Sequence, residues 1–199
     1  RYADLPEPVP AAGEVLVRIH AASINPIDFK TREGKVKAIL PYTLPFVFGS
    51  DLAGVVEKLG PGCKTFKVGD EVYGRPGKMR IGSFAEAIAI SEEDIAPKPT
   101  SIDMVAAASL PLAGLTAWQA FVERAKLRPG QKVLVHAGSG GVGSLAVQIA
   151  SHLGALVATT TSTPNVEWVT ALGADFVVDY RRQDFTKLVR DYDVVLDTL

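Results

Sequence analysis

Cysteine occurs once in these 199 residues, at Cys63, so no disulfide framework can staple the chain. That usage fits a reducing, cytoplasmic compartment. An excess of charge of either sign is also lacking. Twenty-one Lys and Arg against 22 Asp and Glu leave a net charge of -1. This excludes the basic footprint of a nucleic-acid or acidic-membrane partner. No apolar run approaches the ~20 residues of a membrane span. The opening RYADLPEPVP has no basic-then-apolar signal-peptide pattern. Histidine appears only at His20, His136 and His152. A zinc site needs several converging N, S or O ligands, so no metal is expected. Neither an internal repeat nor a low-complexity tract is present. There is no methionine at the start, and the end, VVLDTL, stops inside a strand-like run. Both ends suggest a piece of a longer protein.

Apolar content, by contrast, is ample. At 47% hydrophobic, the chain can build one large or two small domains. Two textures divide it. Up to about Pro99, short β-like runs (EVLVRIHAAS, DLAGVVEKLG, DEVYG, SFAEAIAI) alternate with Gly/Pro turns. Beyond Ser101, helical periodicity alternates with short buried strands. The seam Lys98-Pro99-Thr100 predicts domains at 1–99 and 100–199. In the second, helices are expected over Ile102–Ser109 (Ser101 as cap), Leu112–Ala125, Gly141–Leu153, Asn165–Leu172 and Phe185–Arg190. Strands are expected over Lys132–His136, Leu156–Thr160, Phe176–Val178 and Asp193–Asp197. Such β-α alternation implies an α/β fold with a doubly wound parallel sheet.

Between the first of these strands and its helix lies G-S-G-G-V-G, Gly138, Ser139, Gly140, Gly141, Val142 and Gly143. A G-x-G-x-x-G loop in strand-loop-helix context is the pyrophosphate cradle of a dinucleotide fold. The bland alternative is a tight turn. NAD-binding units place an acid near the end of the second strand, on the ribose 2′-hydroxyl. Here that stretch reads VATTTSTPN, and Thr161, Ser162 and Asn165 offer hydroxyls and an amide instead of a carboxylate. A 2′-phosphate meets no repulsion there, so NADPH is favoured. Tyr180 after the third strand flanks the adenosine, or is a half-buried aromatic closing a strand.

NPID, Asn25 to Asp28, reads locally as a helix start. Asn suits the N-cap, Pro the first turn and an acid the helix dipole, with Gly34 as the stop.

The runs ASINPIDFKTREG, FGSDLAGVVEKLGPGCKTFKVGDEVYG, SFAEAIAI, AASLPLAGLTAWQAF, LRPGQKVLVHAGSGGVGSLAVQIA and ALGADFVVDY cover nearly the whole chain. In that order they resemble the zinc-independent quinone oxidoreductase branch of the medium-chain dehydrogenase/reductase superfamily. The resemblance implies a β-rich GroES-like domain followed by a Rossmann domain, with NADPH and substrate between them. Where zinc relatives carry ligands, this chain has NPID and Gly49-Ser50-Asp51. By resemblance, Ser139, Gly141 and Val142 meet the pyrophosphate, and Ser162 and Tyr180 the adenosine phosphate and ribose. Asn25, Asp28 and Thr116 fall beside the nicotinamide, and Lys30 toward a substrate carbonyl. Asn165 stands where many relatives carry a basic residue.

The activity so implied is NADPH-dependent reduction of a quinone or an activated C=C bond, with no nucleic-acid or membrane partner and a homodimer at full length. A rival reading is an NADPH-binding sensor or partner-binding protein without turnover. In the strand order 3-2-1-4-5-6 the fourth strand would be an open edge in residues 1–199 alone, expected to pair with another chain.

Overall fold

The computed structural model describes residues 3–38, 41–43, 45–77 and 80–198. Leu199, the last residue of VVLDTL, lies outside them. The chain divides into two compact units between Leu112 and Ala113.

The first unit is an antiparallel sheet of β1 (Glu14–Ala21), β2 (Leu52–Leu59), β3 (Glu71–Gly74), β4 (Ala87–Ser91) and β5 (Ile95–Pro97), in the order β4-β1-β2-β3-β5. Alternation puts Val15 and Val17 of β1, with Leu52, Val56, Val72, Ile88 and Ile90, into one buried cluster. β5 follows a 3-10 turn, Glu92–Asp94, and pairs with β3 through Ala96 and Tyr73. It is too short to show an alternating pattern, and the sequence reading has no strand there. The run SFAEAIAI becomes strand only from Ala87.

Helix α1 (Pro26–Arg32) follows β1, with Asn25 at its N-cap. Helix α2 (Met104–Ala108) lies on the other face of the sheet, where Ala107 and Ala108 pack with Ala53, Tyr73 and Ala21. That packing joins α2 to the first unit. Its cap is Asp103, whose Oδ1 accepts the Ala106 N–H at 2.7 Å, not Ser101. The side chain sitting three residues before the N3 amide takes the bond.

In the second unit a parallel sheet has the order β8-β7-β6-β9. Its strands are β6 (Lys132–Val135), β7 (Leu156–Thr161), β8 (Phe176–Asp179) and β9 (Val194–Leu196). This is the 3-2-1-4 order expected of a dinucleotide half. Its helices are α4 (Gly141–His152), α5 (Val166–Ala171) and α6 (Phe185–Leu188). The helix expected over Leu112–Ala125 is instead α3 (Pro111–Trp118) followed by a π-helical turn, Gln119–Arg124. There the Ala125 N–H reaches Ala120 O, one residue beyond α geometry. Asn165 closes a 3-10 turn, Thr163–Asn165, ahead of α5. Val133, Val135, Val147, Val157, Val169 and Phe121 are fully buried together. Among the described residues no helix is long and apolar enough to cross a membrane.

Candidate functional site

The glycine loop is built by β6, β7 and α4. The chain leaves β6 through His136 and Ala137, whose φ of 54° lies in the left-handed region. A Cβ on Gly138 would stand 2.1 Å from Thr159 Oγ1, and one on Gly143 would stand 2.1 Å from Ala137 O. Both glycines are therefore demanded by close approach within the fold. Gly141 differs: a Cβ there would meet nothing within 4 Å. It opens the twelve-residue helix α4, whose N-cap Gly140 supplies no side-chain hydrogen bond. Open space against a helix N-terminus without a side-chain cap fits a pyrophosphate.

Three successive threonines of β7 hold this loop, and all are buried. Thr159 Oγ1 donates to Val135 O at 2.7 Å. Thr160 Oγ1 accepts the Ala137 N–H at 3.1 Å. Thr161 Oγ1 donates to Ser139 Oγ at 2.8 Å. Asn165 Nδ2 also donates to Ser139 Oγ, at 3.1 Å, and to Ser162 Oγ at 3.3 Å. Ser139 accepts both bonds, which leaves its own hydrogen to donate. The structure thus gathers Ser139, Thr161, Ser162 and Asn165 into one polar cluster at the C-terminal edge of the sheet. Val142 is half-buried in the first turn of α4.

Tyr180 joins this edge through its backbone, its N–H donating to Thr161 O at 3.1 Å. The residue is 54% exposed and directly follows β8, a position open both to the adenosine reading and to a half-buried aromatic closing the strand. The carboxylate nearest this edge by register is Asp179, aligned with Thr161 across the β7–β8 ladder. Asp179 Oδ2 accepts the Thr163 hydroxyl at 2.6 Å, and Oδ1 accepts the Arg181 N–H at 3.0 Å. The Thr163 hydroxyl, helped by that N–H and by the charges of Arg182 and Arg181, holds the carboxyl below its usual range. Thr116 is exposed on α3.

The first unit carries a second polar network. Asp51 is fully buried. Its Oδ2 accepts from Ser23 Oγ at 2.6 Å and Asn25 Nδ2 at 2.7 Å, and its Oδ1 from the Leu112 N–H at 2.9 Å. Burial pushes its carboxyl up, and these bonds with the charge of Arg75 oppose the shift. The second N–H of Asn25 goes to Ser23 Oγ at 3.1 Å. Asp28, also buried, accepts Ser50 Oγ at 2.9 Å on Oδ1 and the Asn25 backbone N–H at 2.7 Å on Oδ2. The acid therefore caps the start of α1, while the Asn25 amide is held by Asp51 and Ser23. Lys30 is exposed on α1, apart from these bonds.

Sequence reasoning gave no site role to Asp51, Ser23 and Ser50, nor to Thr159 and Thr160. The signals were present: a Ser-Asp pair directly before an apolar strand, and three threonines closing a buried one. Among the described residues no three His, Cys, Asp or Glu converge as metal ligands.

A GroES-like antiparallel sheet followed by a glycine-loop parallel sheet defines a two-part chain of the dehydrogenase/reductase class. Residues 11–100 match the alcohol dehydrogenase GroES-like domain, and residues 141–199 match the zinc-binding dehydrogenase family. The chain belongs to the medium-chain dehydrogenase/reductase superfamily, in its zinc-independent quinone oxidoreductase branch. It is 44% identical over 194 residues to the 2-methylene-furan-3-one reductase of Solanum lycopersicum, covering 94% of this chain and 50% of that protein. Identity is also 44% over 194 residues, with the same coverage, to the chloroplastic NADPH-dependent alkenal/one oxidoreductase of Arabidopsis thaliana. The solved quinone oxidoreductase of Coxiella burnetii superposes with a TM-score of 0.89 at 40% identity, covering 98% of this chain and 62% of that one. The chain spans about half the length of these two curated relatives.

Proposed function

We propose that the full-length protein uses NADPH to reduce quinones or the activated C=C bonds of enones and enals, without zinc. The observation that carries this is the acid-free cluster of Ser139, Thr161, Ser162 and Asn165 against the glycine loop. Its hydroxyls and amide suit a ribose 2′-phosphate, and a carboxylate in their place would repel one. The names of the reductases matched at 44% identity support the same reading.

Ser139, Gly140, Gly141, Val142 and Gly143 would hold the pyrophosphate, with Ser162, Asn165 and Tyr180 on the adenosine side and Thr116 toward the nicotinamide. Bound there, NADPH supplies a hydride. Negative charge growing on the substrate carbonyl oxygen needs a preorganised donor, worth ~3 kcal/mol. Both side-chain N–H groups of Asn25 are committed to Asp51 and Ser23. The donors left in this reading are the Lys30 ammonium and backbone N–H groups. Asn25 and Asp28 then act by holding the start of α1, and water supplies the last proton.

Steady-state NADPH consumption by the full-length protein, measured with quinones, enals and enones and compared with NADH, tests this. Turnover favouring NADPH is expected. Tight NADPH binding with no turnover on any acceptor would point instead to a sensor. Cytoplasmic localisation and a full-length homodimer belong to the same proposal, checked by fractionation and by light scattering.

A further inference from the structure

His136, the first residue after β6, has no part in the proposed chemistry, yet its surroundings fix it on two sides. Its N–H donates to Leu196 O of β9 at 2.9 Å, and its carbonyl accepts the Thr198 hydroxyl at 3.1 Å. The half-buried imidazole meets the Phe185 ring of α6 nearly at right angles, with centroids 4.9 Å apart. Backbone and ring are thus held independently, and Nδ1 comes to 3.2 Å from Thr160 Oγ1.

Thr160 is buried and grips the glycine loop twice. Its Oγ1 accepts the Ala137 N–H at 3.1 Å, and its carbonyl accepts the Gly138 N–H at 2.9 Å. Ala137 stands in the left-handed region, which alanine occupies only where its surroundings impose it. From there its carbonyl accepts the Gly140 N–H at 2.8 Å, and Gly140 is the N-cap of α4. With Oγ1 accepting from Ala137, the Thr160 hydroxyl still has a hydrogen to place. Buried hydroxyl hydrogens find an acceptor, and His136 Nδ1 is the one recorded beside it among the described residues. That bond requires the neutral imidazole with its hydrogen on Nε2. The opposite tautomer would make Thr160 accept twice and leave its own hydrogen unplaced.

We propose that His136 is a positioning residue for the glycine loop. Its Nδ1 accepts the Thr160 hydroxyl and so aims an Oγ1 lone pair at the Ala137 N–H, holding the left-handed turn from which the loop enters α4. The consequence for cofactor affinity rests on the NADPH reading; the hydrogen bond itself does not.

Two substitutions in the full-length protein separate the acceptor from the ring. His136→Phe keeps an aromatic ring against Phe185 and removes the acceptor. His136→Asn removes the ring and keeps an acceptor, its Oδ1 standing two bonds from Cβ as Nδ1 does. In the cofactor-free protein, amide hydrogen exchange at Ala137 should quicken about tenfold in His136→Phe and stay within about twofold of wild type in His136→Asn. NADPH affinity in a calorimetric titration should follow the same order, about tenfold weaker in His136→Phe and recovered in His136→Asn. Nitrogen NMR of the wild-type imidazole should show a bare Nδ1 and a protonated Nε2, a measurement that needs neither variant to fold. A hydrogen on Nδ1 overturns the proposal. So does Ala137 exchange that is equal in the two variants or faster in His136→Asn, and so does an NADPH affinity that His136→Phe leaves unchanged. A wild-type protein that binds no NADPH would instead overturn the NADPH reading, told apart because exchange and tautomer are read without cofactor.

Discussion

The carboxamide of Asn25 and the carboxylate of Asp51, 26 residues apart in sequence, meet at 2.7 Å in the interior of the first unit. Ser23 bridges them, accepting from Asn25 and donating to Asp51. The start of α1 is thus tied to the residue directly before β2.

Replacing Asp51 by Asn keeps the shape but turns one acceptor into a donor facing other donors. A cost of about 1–3 kcal/mol is expected in urea unfolding. The variant should also respond differently to pH. Burial raises the Asp51 carboxyl in the folded state, so that state binds the extra proton. Its contribution to stability is greatest in acid and falls as pH rises through the carboxylate range. Asp51→Asn lacks this slope, so the gap to wild type should narrow toward neutral pH. A gap that stays constant would refute the assignment.

Gly138 and Gly141 should respond oppositely to alanine. At Gly138 the new Cβ would collide with Thr159 Oγ1, and overpacking of this kind costs about 1–3 kcal/mol. At Gly141 it meets open space, and alanine is the better helix former by about 0.5–1 kcal/mol. Gly141→Ala should therefore keep or raise Tm while weakening NADPH in a binding titration. Unchanged NADPH affinity would mean that no phosphate approaches this backbone.

Much of this was legible beforehand for a physical reason. The glycine loop, the strand-loop-helix order and the missing acid after β7 are local features, each carried by consecutive residues. Asp51 was not legible, because its importance arises from partners at positions 23, 25 and 112 that only the fold assembles. The end of α3 also escaped reading: QAFVER has good helical periodicity, and nothing local announces a π turn.

Lys30 offers a clean kinetic test, being exposed on α1. If its ammonium meets the substrate carbonyl, Lys30→Met in the full-length protein should lower kcat/KM and leave NADPH binding intact. A variant with wild-type kcat/KM would leave the role to a backbone N–H.

Thr163→Val removes the main hydrogen bond that holds Asp179 low. The Asp179 carboxyl should move up toward its ordinary value, followed by its carbon resonance in an NMR titration. A depressed carboxylate stabilises the fold above its ordinary range, and that support is lost as pH falls. The variant should accordingly be less stable than wild type near neutrality, and the difference should close in acid. An unmoved Asp179 titration would show that the backbone and the arginines suffice.

Thr159, Thr160 and Thr161 also bear on how this chain tolerates change. In an ordinary buried strand, threonine and valine are near-isosteres, and valine has the stronger claim on the site. In β7 each hydroxyl instead secures a different atom at the end of β6 or in the loop that follows: Val135 O, the Ala137 N–H and Ser139 Oγ. The usual ranking of substitutions is reversed here. Serine, which keeps the oxygen and loses a methyl, becomes the conservative replacement at these positions. Valine keeps the volume and dismantles the loop one anchor at a time.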